Sequence, residues 1–287
     1  MQEIREVKGS DQQSTWLPRK TNRSECTECP LFKNALCQSI VAVAPEGAPS
    51  IRTRRVKRDE VLFQQGEAPK FAGVLRSGIL RMEHMRQDGD RLLLGLGLPG
   101  TIFGMYDQES LAYSLEVAAD SEICVFQPWV QERLRSNTAM RMQLMKSADR
   151  QHAVQLEMIW RRGALSSRER IIAFLLMAAD HMPVEPQSDG SLIVDIGISR
   201  KDWAAWSDVS VESISRTLSQ LSERDLVSYL EPGRYRLQNL DALSSLAGLD
   251  RRSDRPKTAG SAQPASDHSE ARLRAVNAVK GAHLVLN

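Results

Sequence analysis

Four cysteines hold the most reactive chemistry in this chain: Cys26, Cys29 and Cys37 in the spacing C-x2-C-x7-C, and Cys124 far downstream in SEICVF. Thiolates are strong ligands for iron–sulfur clusters and for zinc, and four of them complete the ligand set of either. The pair Cys26 and Cys29 suits adjacent corners of such a site, and Cys37 returns to it across PLFKNAL. Zinc sites more often pair two C-x-x-C knuckles. A single C-x-x-C is also a thiol redox motif, but no βαβ pattern surrounds this one, so an enzyme exchanging disulfides finds little support. Cys124 taken alone is more often a buried strand cysteine than a ligand. Spacing by itself leaves iron, zinc and thiol switching open.

A second constellation sits on a helix. Ser199 precedes RKDWAAWS with Asp202 three residues on, the pattern of a capped helix start. Asp208–Val209 makes a short turn, and Ser210 then caps VESISRTLSQLSERDLV. Ile214, Leu218 and Leu221 fall at i, i+4 and i+7 and should share a buried face. Glu212, Ser215, Arg216 and Ser219 lie opposite, exposed. VSYLEPGRYRL follows, with two short alternating runs around Pro232–Gly233 that predict a β-hairpin wing. Helix–turn–helix–wing is a DNA-reading arrangement, with the second helix in the major groove. There Arg216 can donate two hydrogen bonds to the O6/N7 edge of guanine, Glu212 can accept from cytosine N4, and Ser215 can approach a thymine methyl. As a mere surface pair at i,i+4, Glu212 and Arg216 would contribute only a few tenths of a kcal/mol. The capped first helix and the wing favour the DNA-reading role.

The elements that must position these residues follow from the rest of the pattern. Residues 1–50 carry the cysteine cluster, with 1–25 polar and expected to lack order and a short helical stretch around Leu36–Val43. Over 51–128, short apolar runs punctuated by glycine predict an antiparallel β-roll or barrel. Residues 129–163 read as one long helix, free of proline and almost free of glycine, from Gln131 to about Arg162. Residues 164–249 hold a second helix, Ser167–His181, then a loop PVEPQSDG, then the winged unit. Residues 250–287 begin as a low-complexity tail. Along the long helix Met142, Met145, Ala148, Leu156 and Ile159 form a stripe, interrupted by His152 and Gln155, that either packs on the parent roll or meets a second copy. The fold class expected is α+β.

Composition sets the boundaries. A hydrophobic content of 41%, 26% charged residues and a formal charge of +2 describe a soluble, globular chain whose basic surface must be local. No apolar run approaches the ~18–20 residues of a membrane span, and the first residues lack the apolar core of a secretory signal. A cytoplasmic protein is expected, and in that reducing compartment four cysteines point to metal or redox groups ahead of a disulfide framework.

VESISRTL resembles the recognition helix of the FNR branch of the CRP/FNR superfamily, which carries Glu-x-x-Ser-Arg, here Glu212, Ser215 and Arg216. The cyclic-AMP receptor branch usually has arginine directly before the glutamate, where this chain has Val211. The resemblance covers roughly Cys26 to Gly248. It implies a cyclic-nucleotide-binding-like β-roll sensor domain, a long dimerisation helix and a C-terminal winged helix-turn-helix. It further implies a [4Fe–4S] cluster held by Cys26, Cys29, Cys37 and Cys124, with Cys124 as the distal ligand; x7 resembles a recognised subset, x5 being the better-known spacing. The partners implied are double-stranded DNA with TTGAT-type half-sites in an inverted repeat, a second copy of the chain, and RNA polymerase, for which the turn Gln87–Asp90 is a candidate contact. Recognition helices of the dimer would stand about one DNA turn, ~34 Å, apart. Nucleotide-binding relatives carry a glutamate and an arginine where GTIFGMYDQESLAYSLEVAA has Met105 and Tyr113. Without that arginine a buried phosphate lacks its counter-charge, so no cyclic nucleotide is expected. The alternative is a regulator of the same family without a cluster, whose cysteines bind zinc or act as thiol switches.

Overall fold

The computed structural model describes residues 19–21, 26–33, 35–44, 51–105 and 109–249. The strands β1 (Arg19–Thr21), β2 (Ile51–Val56), β3 (Val61–Phe63), β4 (Gly73–Met85), β5 (Arg91–Gly97), β6 (Ile102–Phe103) and β7 (Ser114–Phe126) form one antiparallel sheet. Its main path runs β1-β2-β7-β4-β5, with β3 added to β7 and β6 to β4. The two long strands β4 and β7 bend at register shifts near Ser77 and Ile79, which lets the sheet curl into a roll. Gly78 sits at such a bend with φ +91°, and a Cβ there would meet Ser121 and the Asp120 carbonyl. Inside the roll Phe63, Phe71 and Phe103 pack with ring centroids 4.9–6.1 Å apart. Leu62, Leu75, Leu80, Leu115, Val117 and Ile123 complete that filling.

Two sequence expectations are corrected in this half. Residues 1–25 are not wholly without structure, since Arg19–Thr21 pairs with β2 and satisfies that strand's outer edge. The long helix is two: α2 spans Pro128–Ser136 and α3 spans Thr138–Ala164, after α1 at Ala35–Ala42. Asn137 makes the break. Its backbone is extended, and its side chain accepts from the Met140 N–H at 3.0 Å, capping α3. A chain without glycine or proline can still stop a helix when a capping side chain offers its amides another partner.

Beyond α3, α4 (Ser167–His181) opens with a capping box between Ser166 and Glu169. A four-stranded sheet follows, in the order β10 (Val227–Glu231), β11 (Arg234–Leu237), β9 (Leu192–Asp195), β8 (Val184–Pro186). The expected loop PVEPQSDG thus contains β8, and the wing is wider than one hairpin. α5 (Arg200–Ser207), α6 (Val211–Ser222) and α7 (Leu240–Leu246) complete the unit. Phe174 stacks on Trp203 at 4.8 Å and meets Trp206 edge-on at 5.2 Å, locking α4 to α5. The same core takes in Ile79, Leu93, Leu96, Ala118 and Ala119 of the roll, so the two halves share apolar surface. The expected tail at 250–287 lies outside the described residues.

Candidate cysteine cleft and nucleic-acid interface

The three N-terminal cysteines ride on a tight turn and on α1. The Cys29 N–H donates to the Cys26 carbonyl at 3.2 Å, and the Phe32 N–H to that of Cys29 at 2.8 Å. The chain then passes through a 3-10 turn at Pro30–Lys33 into α1. Leu36, Cys37, Ile40 and Val41 form the buried face of α1, a spacing of i, i+1, i+4, i+5. That face belongs to an apolar layer with Ile51, Ala72, Val74 and Ile102 of the roll, Val130 and Leu134 of α2 and Met140 of α3. Cys124 enters the layer from β7, opposite Thr53 of β2 and Val74 of β4. Gly73 permits this approach, because a Cβ on it would stand 2.5 Å from the Cys124 carbonyl oxygen.

All four cysteines line one cleft, part of it open to solvent, together with Leu31, Phe32, Val41, Ile51, Val74 and Arg76. None of them is in a disulfide; three are buried and Cys29 is half-buried. Burial pushes the Cys37 thiol up to about 12, reinforced by Cys29 and Cys26. Burial raises Cys124 to about 12 as well, with Cys37 and Cys29 adding to it and Arg76 opposing it. Four thiolates cannot be charged together in such a place without a cationic core between them.

Among the described residues, no three His, Cys, Asp or Glu side chains stand close enough to hold a single metal ion. Four sulfurs around one zinc, each ~2.3 Å from it, must crowd within about 4 Å of one another. A [4Fe–4S] core bonds each thiolate to a different iron and accepts a wider cage. The donor set, four cysteines between apolar walls, is one that an inorganic core bound by thiolates would suit.

At the other end of the chain, α5 is capped as expected. Ser199 accepts from the Asp202 N–H at 3.0 Å and donates to its carboxylate at 2.7 Å. Asp208 ends α5 in the left-handed region at φ 52°. Ser210 then starts α6 by accepting from the Ser213 N–H at 3.2 Å. Ile214 and Leu221 are buried, Leu218 is half-buried, and Thr217 joins the inner face, which the apolar pattern did not mark. Glu212, Ser215 and Arg216 are exposed together on the outer face of the first turns. The Ser215 hydroxyl donates to the Val211 carbonyl at 3.2 Å. Local backbone hydrogen bonding, the Ser210 hydroxyl and Arg216 hold the Glu212 carboxyl below its usual range. Arg200 lies over the rings of Trp203 and Tyr235, 5.3 and 5.5 Å from their centroids, and ties the wing to α5.

Sequence reasoning missed the residues that join the two halves. Arg81 of β4, nearly buried, pairs with Glu116 at 2.7 Å and Asp59 at 2.9 Å, and reaches Glu83 at 3.3 Å and Asp202 of α5 at 3.7 Å. Arg162, in the last turn of α3, donates to the carbonyls of Ala205 at 3.1 Å and Trp206 at 3.3 Å, both on α5. Their only signal was charge inside apolar runs.

The stripe on α3 is not spent on the parent roll. Met145 and Ile159 are 60% and 64% exposed, and Met142, Leu156 and Trp160 are exposed with them. The face turned to the roll instead carries Met140, Met158, Gln151 and Gln155. Gln151 bonds the N–H and the carbonyl of Ile102 at 3.1 and 3.2 Å, and the Gln155 amide lies 3.7 Å from the Met82 sulfur. Gln155, expected to interrupt the seam, thus belongs to the other side of the helix. Met105 packs against the cysteine layer and Tyr113 against the core of the roll. No helix among the described residues is long and apolar enough to cross a membrane.

Known proteins resemble this chain along both halves. Residues 53–133 match the cyclic nucleotide-binding domain family and residues 169–246 the Crp-like helix-turn-helix domain family, together more than half of the chain. The transcriptional activator protein FnrL of Cereibacter sphaeroides is 24% identical over 215 residues, covering 73% of this chain and 86% of that protein. The nitrogen fixation regulation protein FixK of Rhizobium meliloti is 26% identical over 204 residues, 71% of this chain and 90% of that one. The solved structure of FixK2 from Bradyrhizobium japonicum superposes with a TM-score of 0.61 at 19% identity, covering 68% of this chain and 96% of its own. Sensor-like roll, connecting helices and helix-turn-helix thus occur here in one familiar order, and the chain belongs to the CRP/FNR family of transcription regulators.

Proposed function

We propose that this regulator is an oxygen-responsive activator of the FNR branch, in which Cys26, Cys29, Cys37 and Cys124 hold a [4Fe–4S] cluster and a homodimer reads a TTGAT-type inverted repeat. The observation that carries the reading is the convergence of the four cysteines, from a turn, a helix and a distant strand, on one apolar cleft. When bound, the cluster would supply an oxygen-labile inorganic core. The protein's share is to hold the N-terminal turn and α1 against β7 and the start of α3. Loss of that anchor frees Leu36, Ile40 and Val41 from the layer they share with Met140, loosening the base of the helix that carries the exposed Met142–Ile159 stripe. That stripe is the seam for the second copy; the ionisable His152 and Asp149 within it limit the stability of the seam. Glu212, Ser215 and Arg216 then read the half-site, and the Gln87–Asp90 turn is the candidate contact for RNA polymerase. The division at 1–50, 51–128, 129–163 and 164–249 follows this assignment of roles.

Anaerobic purification tests it. A brown protein with iron and sulfide near four of each per chain, bleached by air with loss of dimer and of specific DNA binding, supports the cluster. A colourless protein with stoichiometric zinc, or with neither metal and a reversible disulfide, would replace this reading with the family regulator that senses by zinc or thiols.

A further inference from the structure

Arg76 is the one charged side chain among the described residues that line the cysteine cleft. It stands on β4 two residues beyond Val74, on the same side of the strand. Its guanidinium lies beside Cys29, with which it interacts favourably, and pairs with Glu122 of β7 at 3.1 Å. Both side chains are 27% exposed, so the pair sits at the rim of the cleft, between apolar walls and water. Glu122 is itself two residues before Cys124. One short strand segment thus supplies a thiol to the cleft and a carboxylate to the cation facing it.

An arginine beside four neutral thiols loses hydration and gains little. Beside an iron–sulfur core wrapped by four thiolates, whose total charge is negative, the same arginine is favourably placed. Reduction potentials of such centres are set by net charge, by hydrogen bonds to the sulfurs and by solvent exposure, and Arg76 touches all three. Resting on the cluster assignment above, we propose that Arg76 is a tuning residue for that centre. It donates to the Cys29 sulfur and offsets part of the negative charge, so the cluster gives up an electron less readily. Glu122 holds Arg76 in position and moderates its charge. The competing account is that Arg76 and Glu122 form a cross-strand ion pair that stitches β4 to β7 beside the register shift at Ser77.

The two accounts differ in sign. The experiment uses the full chain, loaded with cluster anaerobically, as wild type, Arg76→Gln, Arg76→Lys and Glu122→Gln. Iron and sulfide content, the midpoint potential and the rate of bleaching in air are measured for each. Arg76→Gln should lower the potential and bleach about tenfold faster. Arg76→Lys, which keeps the charge, should restore most of both. Glu122→Gln should move them the opposite way, with a higher potential and slower bleaching. If Arg76→Gln and Glu122→Gln shift in the same direction, or all variants match the wild type, the proposal is overturned and the pair is structural. Should Arg76→Gln fail to fold, the direction of the Glu122→Gln shift decides the matter. A wild-type protein that takes up no iron and sulfide defeats the cluster assignment first, and this proposal with it; the metal count separates that result from a failure of Arg76 alone.

Discussion

The recognition face and the cysteine cleft are assembled in opposite ways. Glu212, Ser215 and Arg216 come from the first turns of one capped helix, and their common orientation follows from helix geometry as soon as α6 forms. Cys26, Cys29, Cys37 and Cys124 come from a turn, from α1 and from β7, and share a cleft through the apolar layer that Leu36, Ile40, Val41, Val74 and Met140 build with them. The first site is local and depends on Ser210 and a buried stripe. The second is tertiary and depends on a whole apolar layer. A locally built site tolerates change elsewhere in the molecule; a gathered one reports it, which suits a sensor.

Three substitutions press on this contrast, in order of effect. Cys124→Ala should abolish cluster loading as completely as Cys26→Ala, because a gathered site fails when any contributor is lost; iron and sulfide analysis decides. Full retention of iron would return Cys124 to the core of the roll. Arg81→Met should destabilise the chain by about 3 kcal/mol, measured by urea unfolding, since it leaves Glu116, Glu83 and Asp202 facing one another with only the more exposed Arg91 beside the first two. A loss below ~1 kcal/mol would show that the Arg81 network adds little to the junction between the two halves. Arg216→Ala should cost ~1–3 kcal/mol of preference for the half-site guanine in a binding assay, while phosphate-driven nonspecific binding and iron content stay as they were. If cluster content fell with Arg216, the two sites would not be separable as described.

The same contrast decides what could be read from the sequence. The helix-turn-helix was legible because caps and apolar spacing are local signals. Ser199, Asp202, Asp208 and Ser210 all act as their positions suggest. The cysteines could be named but not shown to meet, since that depends on Gly73 admitting β7 and on α1 burying Cys37. Asn137 lacks the glycine or proline signature of a helix break, although its capping amide does the same work. β8 leaves no strand signal, because its three exposed residues carry no apolar period. Arg76, Arg81 and Arg162 left almost no signal, as their partners lie far along the chain.

The break at Asn137 also sets where this molecule can change length. α3 is held at Met140 by the cysteine layer, at Gln151 by Ile102 and at Arg162 by α5. A residue inserted in the middle of α3 would turn everything after it by about 100°. Gln155, Met158 and Arg162 would leave their partners, and the exposed stripe would be split between two faces. A residue inserted at 136–138 falls between helices and leaves every one of those phases intact. Insertions and deletions among related chains should therefore collect at that joint and be excluded from the rod that follows it.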